Sequence, residues 1–257
     1  MPESLTLYEV GNGIAVLTLN NPRRRNALSF AMMDEILGHL VRVGNDDDAR
    51  VVVIRAEGPV FSSGHDLREL AEADVEDQTI LFARCTELME AVRLLPKPVI
   101  AQVQGLATAA GCQLAATCDL VVASEDAGFA TPGVDIGLFC TTPAVALGRA
   151  VPLKRAMEML LTGQPISASV ALESGLVNRM VSADRLEEET MVLAGKVASA
   201  PMSTVSIGKP AFYRQMAMDR PQAYELAQRV MVENLQTADA REGIGAFLEK
   251  REPRWQS

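Results

Sequence analysis

The chain has 257 residues, of which 48% are hydrophobic and 22% charged, and its formal net charge at pH 7 is −9. This composition is typical of a globular protein with enough apolar side chains to fill one large domain, or a core with a small appendage. No basic block offsets the negative charge, which argues against nucleic-acid binding.

The N-terminal residues lack the basic start and the apolar run of an export signal. No window approaches the roughly 20 apolar residues of a membrane span. The four cysteines, Cys85, Cys112, Cys118 and Cys140, have no tight metal-ligand spacing. We therefore expect buried reduced thiols, no bound metal, no membrane contact and a soluble cytoplasmic protein.

The first half of the chain alternates apolar strands with amphipathic helices. Strands are predicted at residues 13–20 and 51–55, and helices at residues 29–43 and 78–95. Ser29 is the expected N-cap of the first helix, and an Asn-Pro turn ends the first strand. The second strand, V-V-V-I-R, is apolar almost throughout, which suits a strand covered on both faces.

The alternation continues with strands at residues 99–105 and 119–124 and a helix at 110–117, which indicates βαβ units and a parallel sheet. Beyond Gly137 the pattern is mainly helical. The helices predicted there cover residues 144–161, 169–174, 186–200 and 223–236. We therefore expect an α/β core in residues 1–200 and a helical C-terminal part in residues 201–257.

Serine, histidine and aspartate stand almost side by side in F-S-S-G-H-D-L-R-E-L, residues 61–70. A hydrolytic triad of Ser63, His65 and Asp66 is geometrically implausible, because the partners of a working triad come from distant chain positions. Neighbouring side chains in an extended segment also point to opposite faces. The alternative is that Gly64 turns the chain sharply and leaves the next amide free, with a helix behind it.

A second segment of the same form, G-L-A-T-A-A-G, covers residues 105–111. Small side chains let a ligand approach the main chain, and the first turn of a helix has unpaired N–H groups. Two such amides aimed at one point would hold a developing oxyanion. For either segment alone, close packing of helix on sheet is the simpler explanation, and neither has the glycine pattern of a nucleotide site.

Taken together, these motifs resemble those of the crotonase superfamily, the enoyl-CoA hydratase/isomerase family. The resemblance covers nearly the whole chain and rests on N-P-R-R-R-N-A-L-S, F-S-S-G-H-D-L, K-P-V-I-A-Q-V-Q-G, A-G-C-Q-L-A-A-T-C-D-L, F-A-T-P-G-V-D-I-G-L and F-L-E-K-R. Residues 123–149 look most like a hydratase-domain-containing subgroup. The family implies an α/β fold of the crotonase (ClpP/crotonase-like) type, with repeated ββα units and a helical C-terminal trimerisation part.

In that family two backbone amides bind the oxygen of a CoA thioester. The resemblance assigns this role to the N–H groups of His65 and Ala110, with Gly111 beside the second. The His65 side chain need not react, and Asp66 is expected to cap the short helix L-R-E-L. On this interpretation the segment F-S-S-G-H-D-L-R-E-L, residues 61–70, forms part of an oxyanion hole.

The resemblance also implies a CoA site without a permanently bound cofactor, since coenzyme A arrives as part of the acyl-CoA substrate. Arg24 lies in an arginine cluster before Ala27, where the family binds CoA phosphates, although a solvated charge cluster explains it equally well. Lys250 matches a basic residue that often approaches CoA. The adenine end would lie on the backbone of the loop that contains Ser63, His65, Asp66 and Leu67.

The two catalytic glutamates of the family's hydratases are missing. Their positions hold Gln113 and Gly133, and neither residue can take up a proton at neutral pH. Asp135 is the candidate substitute base, because in an extended segment it would share a face with Gly133, although a loop or capping role competes. Thr141, near the position of the isomerases' acid, is a poor base.

Other nucleophiles and bases are less promising. Cys112 and Cys140 have no histidine placed in sequence to activate them, so buried neutral thiols are expected. His39 lies in a predicted helix and is expected to be structural.

The sequence therefore favours an acyl-CoA thioester-processing enzyme of the enoyl-CoA hydratase/isomerase family, a lyase by label, in which a backbone oxyanion hole stabilises a thioester enolate. The alternatives are a non-catalytic acyl-CoA-binding protein, a related isomerase, decarboxylase or thioester hydrolase, and a hydrolase built on His65. The resemblance implies a homotrimer or homohexamer. The expected apolar contact face, which could instead belong to the chain's own core, consists of Met157, Met159, Leu160 and Leu161.

Overall fold

A computed structural model describes residues 4–256, in which ten strands form two sheets and eleven α-helices accompany them. The strands are β1 (Thr6–Gly11), β2 (Ile14–Leu19), β3 (Val51–Ala56), β4 (Val60–Ser62), β5 (Val99–Val103), β6 (Leu106–Thr108), β7 (Leu120–Ser124), β8 (Gly128–Ala130), β9 (Ile166–Ser167) and β10 (Arg179–Val181). The helices are α1 (Phe30–Gly44), α2 (Leu67–Glu72), α3 (Val75–Leu94), α4 (Ala110–Thr117), α5 (Thr141–Ala150), α6 (Leu153–Thr162), α7 (Ala168–Glu173), α8 (Leu186–Ala198), α9 (Met202–Gln215), α10 (Arg220–Leu235) and α11 (Ala238–Glu249).

The larger sheet has the strand order β1-β2-β3-β5-β7-β10 and the smaller one the order β4-β6-β8-β9. From β2 to β10 the larger sheet is parallel, which confirms the predicted parallel core. Three times in succession, a strand of the larger sheet is followed by a strand of the smaller one and then by a helix. This is the repeated ββα unit. The short strands of the smaller sheet escaped sequence analysis, because a three-residue run carries almost no periodic signal.

The strand β3 is covered on both faces, as its apolar sequence predicts. Val52 and Ile54 belong to the main hydrophobic cluster, which also contains buried residues of α1, α3 and α4. Val51 and Val53 belong to a second cluster on the opposite face, which α8 covers with Leu186, Ala194 and Ala198. The two-sided burial holds the carboxyl end of β3, and the β4 loop behind it, in a fixed place.

Several helix boundaries differ from the prediction for identifiable reasons. Ser29 caps α1 as expected, accepting a hydrogen bond from the Met32 N–H at 3.2 Å. The single helix predicted at residues 144–161 is wrong, because Pro152 separates α5 from α6. Proline has no N–H to donate and disfavours a helical residue before it.

The helical C-terminal part is confirmed, although the boundary between residues 200 and 201 stays a prediction. Sequence analysis missed α9 and α11, and Gly208 and Pro210 inside α9 explain the first omission. The predicted apolar face on α6 is partly wrong. Met159 and Leu160 are buried in the chain's own core, whereas Met157 and Leu161 are exposed.

The remaining general expectations concern thiols and membranes. All four cysteines are buried and free, as predicted. Between residues 4 and 256, no helix combines the length and the apolar character that crossing a bilayer requires.

Candidate functional site

The two glycine-bearing segments singled out in the sequence lie directly against each other. Gly64 follows β4 and has φ +84°, a conformation that favours glycine. A Cβ atom on Gly64 would lie 2.8 Å from the Ala109 Cβ and 3.1 Å from the Ala110 nitrogen. A Cβ on Gly111 would collide with the backbone of Ser62. The backbone at the start of α4 is therefore in direct contact with the turn after β4, as the two glycine-bearing segments predict.

The direction of the His65 and Ala110 N–H groups is set by the carbonyl group of the same peptide unit, which belongs to the preceding residue. The Gly64 carbonyl accepts from the Leu28 N–H at 2.7 Å, and the Ala109 carbonyl accepts from the Gln113 N–H at 3.0 Å. In a trans peptide the N–H points opposite to the C=O. The His65 N–H therefore points away from Leu28, and the Ala110 N–H points out of the amino end of α4. Neither donates a hydrogen bond to another atom of residues 4–256.

Two buried polar residues that sequence analysis missed shape this turn. The Asn26 side chain donates to the carbonyl groups of Glu57 and Val60 at 2.9 and 2.8 Å. The Ser62 hydroxyl donates to the Asn26 carbonyl at 2.8 Å and accepts from the Gly64 N–H at 3.3 Å. Both residues are fully buried. Nothing in the local sequence pattern marks them, because their partners are distant in the chain.

The His65 side chain turns back toward the start of α1. Its Nδ1 lies 3.2 Å from the Leu28 carbonyl oxygen, so Nδ1 carries the proton, and the ring packs edge-to-face on Phe82. Burial lowers the pKa of His65, although the hydrogen bond to Leu28 opposes this shift. The imidazole is therefore neutral, and its buried Nε2 has no partner within the described residues.

The aspartate of the motif has a separate role. Asp66 caps α2, accepting from the Arg68 N–H at 3.0 Å, and forms an ion pair with Arg24 at 3.4 Å. The expected capping role is confirmed. The His65 side chain forms its hydrogen bond with the Leu28 carbonyl group and not with Asp66, so the two side chains do not form a hydrolytic relay.

The two positions that the family resemblance assigns to catalytic glutamates, Gln113 and Gly133, are both buried. Gln113 is 6% exposed, and its Oε1 has no hydrogen-bond partner among residues 4–256. Gly133 lies in a 3-10 turn, Pro132–Ile136, and its N–H donates to the Cys140 Sγ at 3.3 Å. A Cβ on Gly133 would lie 2.8 Å from both that sulfur and the Leu138 carbonyl oxygen. The turn therefore has no room for a side chain at Gly133.

The argument that placed Asp135 beside Gly133 is wrong, because the segment is a 3-10 turn and not an extended strand. The Asp135 carboxylate is directed at the end of α6, where a Cβ on Gly163 would lie 2.9 Å from its Oδ2. The side-chain direction of Gly133 leads instead to Cys140. Successive residues of a 3-10 turn do not repeat a face every second position. Asp135 therefore loses its geometric support as a substitute base.

Neither cysteine near the site is a nucleophile in its resting form. Burial raises the pKa of the Cys112 thiol to about 12, and burial also raises the pKa of Cys140. Both thiols are therefore protonated at neutral pH. His39 is structural, as expected: its Nε2 lies 3.0 Å from the Thr6 hydroxyl, and its ring stacks on Tyr8.

The arginine-rich loop lies beside the β4 turn. The Ser63 N–H donates to the Arg25 carbonyl at 3.0 Å. The side chain of Arg24 is 51% exposed, so its ion pair with Asp66 is solvated and available for exchange. An anionic group could therefore take the place of the carboxylate.

The other candidate CoA contacts differ in their setting. Ala27 is buried, whereas Leu67 is exposed. Lys250 is exposed and ends α11, which packs on α9 and α10. The structure thus brings Arg24, Ala27 and residues 63–67 together, and it places Lys250 in the C-terminal helical part.

Comparisons with known proteins agree with this geometry. The family model described as enoyl-CoA hydratase/isomerase matches residues 9–257. The rat enoyl-CoA hydratase domain-containing protein 3, mitochondrial, is 52% identical over 99% of this chain and 86% of its own length. A probable enoyl-CoA hydratase from Rhodobacter capsulatus is 35% identical over 96% of this chain and 95% of its own length.

Solved structures match equally well. A crystal structure of an enoyl-CoA hydratase from Mycobacterium smegmatis has a TM-score of 0.97 and 47% identity, and the match covers 99% of this chain and 100% of that one. The human enoyl coenzyme A hydratase domain-containing protein 3 has a TM-score of 0.95 and 50% identity, with 98% and 100% coverage. By fold, by family model and by its hydratase-domain-containing relatives, the chain belongs to the enoyl-CoA hydratase/isomerase family of the crotonase superfamily.

Proposed function

We propose that the protein is an acyl-CoA thioester-processing enzyme whose backbone oxyanion hole is formed by the N–H groups of His65 and Ala110. One observation carries the proposal. The N–H groups of His65 and Ala110 have no hydrogen-bond partner among the described residues, and the carbonyl group of each of these peptides is held by a hydrogen bond. Both N–H groups lie next to Gly64, where the two backbone segments are in contact. Such donors stabilise negative charge on a thioester oxygen, because they are already oriented before the charge develops. The species that these donors would stabilise is the thioester enolate, which forms when a base removes a proton from the α-carbon or a nucleophile adds to the β-carbon.

The proposed lyase label applies to the family, and hydration itself is expected to be weak. Gln113 and Gly133 cannot act as general acid or base, and Gly133 has no space for a substitute side chain. The reaction therefore relies on the oxyanion hole with an acid or base from elsewhere. Isomerisation, decarboxylation and thioester hydrolysis remain alternative reactions, and binding without turnover is the alternative of a different class.

Coenzyme A is proposed as part of the substrate and not as a permanent cofactor. Its phosphates would pair with Arg24, which can exchange its solvated partner Asp66 for a phosphate. Its adenine would lie on the backbone of residues 63–67, next to Ala27 and Leu67. Lys250 is retained as a candidate from the family pattern alone.

The experiment that tests this function separates binding from chemistry. Calorimetric titration with crotonyl-CoA, acetoacetyl-CoA and free CoA measures binding, and chromatography of each mixture measures turnover. We expect the thioesters to bind more tightly than free CoA, because only they offer an oxygen to the two amides. Equal affinity for free CoA and the thioesters would overturn the oxyanion hole. Binding without product formation from any thioester would favour the non-catalytic alternative.

Assembly and location are also proposals. We propose a homotrimer or homohexamer, supported by exposed apolar side chains on the C-terminal helices. These are Met231, Val232, Leu235, Ile244, Phe247 and Leu248. The cytoplasmic location stays a prediction, since the rat and human relatives are named as mitochondrial proteins.

A further inference from the structure

Ala109, the residue immediately before α4, has a backbone conformation that residues with a Cβ rarely adopt. Its φ is 51° and its ψ is −120°. Positive φ is uncommon for residues with a Cβ, and with ψ at −120° Ala109 lies outside the left-handed helical region that such residues otherwise use. Strained backbone of this kind clusters at functional sites. No local sequence signal marks this conformation, because alanine has no special turn chemistry.

Three contacts over-determine this conformation. The Ala109 N–H donates to the Ala130 carbonyl at 2.9 Å, and the Ala109 carbonyl accepts from the Gln113 N–H at 3.0 Å. The Ala109 methyl group faces Gly64, and a Cβ atom added to Gly64 would lie 2.8 Å from the Ala109 Cβ. The peptide that carries the Ala110 N–H is thus held at its carbonyl end, and the methyl group separates the two amide-bearing turns.

A glycine would relieve the strain at this position, yet the chain has alanine. Glycine occupies a wide range of positive φ without cost, so the peptide would have more freedom to rotate. Without the methyl group, α4 and the Gly64 turn could also approach each other. Both changes would alter the direction and the spacing of the two N–H donors, on which their joint interaction with one oxygen depends.

We propose that Ala109 is a positioning residue, whose strained backbone and methyl group fix the aim of the Ala110 N–H and its distance from the His65 N–H. The inference rests on the proposed oxyanion hole and adds to it the residue that pre-organises it. Ala109 acts through Ala110 and does not itself contact the reacting atoms. It trades stability of the fold for a rigid pair of donors.

The test compares Ala109→Gly with a matched control, Asn12→Gly. Asn12 also has positive φ, 53°, but it lies in the exposed turn between β1 and β2. Each protein is mixed with crotonyl-CoA labelled with ¹³C at the thioester carbonyl. Infrared difference spectra report the stretching frequency of the bound carbonyl, which falls as its hydrogen bonds strengthen. Thermal unfolding reports stability, and calorimetry reports affinity.

We expect wild type to lower the carbonyl frequency and Ala109→Gly to lower it less, with affinity or turnover reduced about tenfold, below the roughly hundredfold loss that removing a donor causes. The melting temperature of Ala109→Gly should be equal to or above that of wild type. Asn12→Gly should match wild type in frequency and affinity. Ala109→Ser, which keeps a Cβ, should restore most of the frequency shift.

The outcomes separate the inference from the function beneath it. An Ala109→Gly spectrum and affinity identical to wild type would overturn the positioning role while leaving the oxyanion hole intact. A fall in melting temperature that accounts for the lost binding would also overturn it, since the role would then be structural. A wild-type protein that binds crotonyl-CoA without shifting the carbonyl would remove the proposed hole and the inference together.

Discussion

Lys209 of α9 forms an ion pair with Asp119, the residue before β7, with an Nζ–Oδ2 distance of 2.7 Å. The Lys209 and Asp119 side chains are 7% and 16% exposed. The lysine also donates to the Lys97 carbonyl at 2.9 Å, and the aspartate accepts from the Tyr213 hydroxyl at 2.8 Å and the Val99 N–H at 2.7 Å. A buried charge pair therefore joins the C-terminal helices to the parallel sheet.

Removing one charge of this pair should lower the unfolding free energy by more than the intact pair contributes to it, because the remaining charge stays buried without its partner. Asp119→Ala leaves the Lys209 ammonium buried without its counter-ion and should cost about 3–5 kcal/mol of unfolding free energy. Lys209→Met keeps the apolar stem, and Asp119 keeps its two other donors, so its cost should be smaller. Urea unfolding measures both. Equal losses below about 1 kcal/mol would mean that the pair behaves as a surface ion pair.

Protonation of His65 should destabilise the fold. Burial lowers the pKa of His65 in the folded protein below its ordinary value of 6.5, so the unfolded chain binds the proton more readily. The stability that the neutral imidazole contributes is therefore present above about pH 6.5 and is lost as the pH falls toward the folded pKa. Urea unfolding at about pH 7.5 and about pH 5.5 compares the stability above and below the ordinary pKa of 6.5.

The matched comparison is His65→Gln, which has no titrating ring. Its stability should decline less between the two pH values than that of wild type. His39, whose pKa burial also lowers, is present in both proteins and cancels in the difference. The same decline in both proteins would show that His65 is not the group responsible.

Backbone donors and side chains can be separated at the candidate site. His65→Ala keeps the N–H of residue 65, so affinity for crotonyl-CoA should change little, while stability falls because the contacts with Leu28 and Phe82 are lost. Ala110→Pro removes a donor and should reduce turnover or affinity by about 10²–10³-fold. Ala110 is the first residue of α4, a position that accepts proline. Proline also restricts the residue before it, and Ala109 has φ 51° and ψ −120°, so the folded state of this variant is measured together with its activity.

Ala110→Gly, which keeps the N–H, is the control for altered packing at that position. Thermal unfolding of all three variants shows whether each is folded. Full activity in Ala110→Pro together with none in a folded His65→Ala would favour the hydrolase built on the His65 side chain.

The sequence predicted the parallel core and the pair of turns, because both depend on local signals. Strand β3 is apolar almost throughout, and Gly64 and Gly111 mark close main-chain approach before any partner is known. It could not predict Ala109 or Asn26, since their roles depend on groups elsewhere in the fold, the Gly64 turn and the carbonyl of Val60. The interpretation of Asp135 failed for a related reason: a face-sharing rule holds only when the local conformation is already known.

Assembly should be visible in solution. The exposed side chains of Phe247 and Leu248, 82% and 73% accessible, lie at the end of α11, and large exposed apolar patches mark interaction surfaces. We expect light scattering at micromolar protein to give the mass of a trimer or hexamer. Phe247→Glu should shift the population toward monomer, whereas Val41→Glu, an exposed change on α1, should not. A monomeric wild-type protein would contradict the prediction.

Hydration of crotonyl-CoA by the wild-type protein should be very slow. A general acid or base contributes about 10²–10⁴-fold, and Gln113 and Gly133 supply neither. Gln113→Glu restores one group in a buried place, where the pKa of a carboxyl is raised, and should accelerate hydration by up to about 10²-fold. Loss of the conjugated thioester absorbance measures the rate.

The companion change Gly133→Glu should instead unfold the turn, because a Cβ there meets the Cys140 sulfur and the Leu138 carbonyl at 2.8 Å. Full restoration of a two-glutamate site is therefore blocked by the local packing, so Gln113→Glu alone should remain well below an efficient hydratase. Asp135→Asn should leave any native turnover unchanged, since its carboxylate is directed at Gly163. Wild-type hydration at the kcat of an efficient enzyme, on the order of 10–10³ per second, would show that the acid and base positions are wrongly assigned.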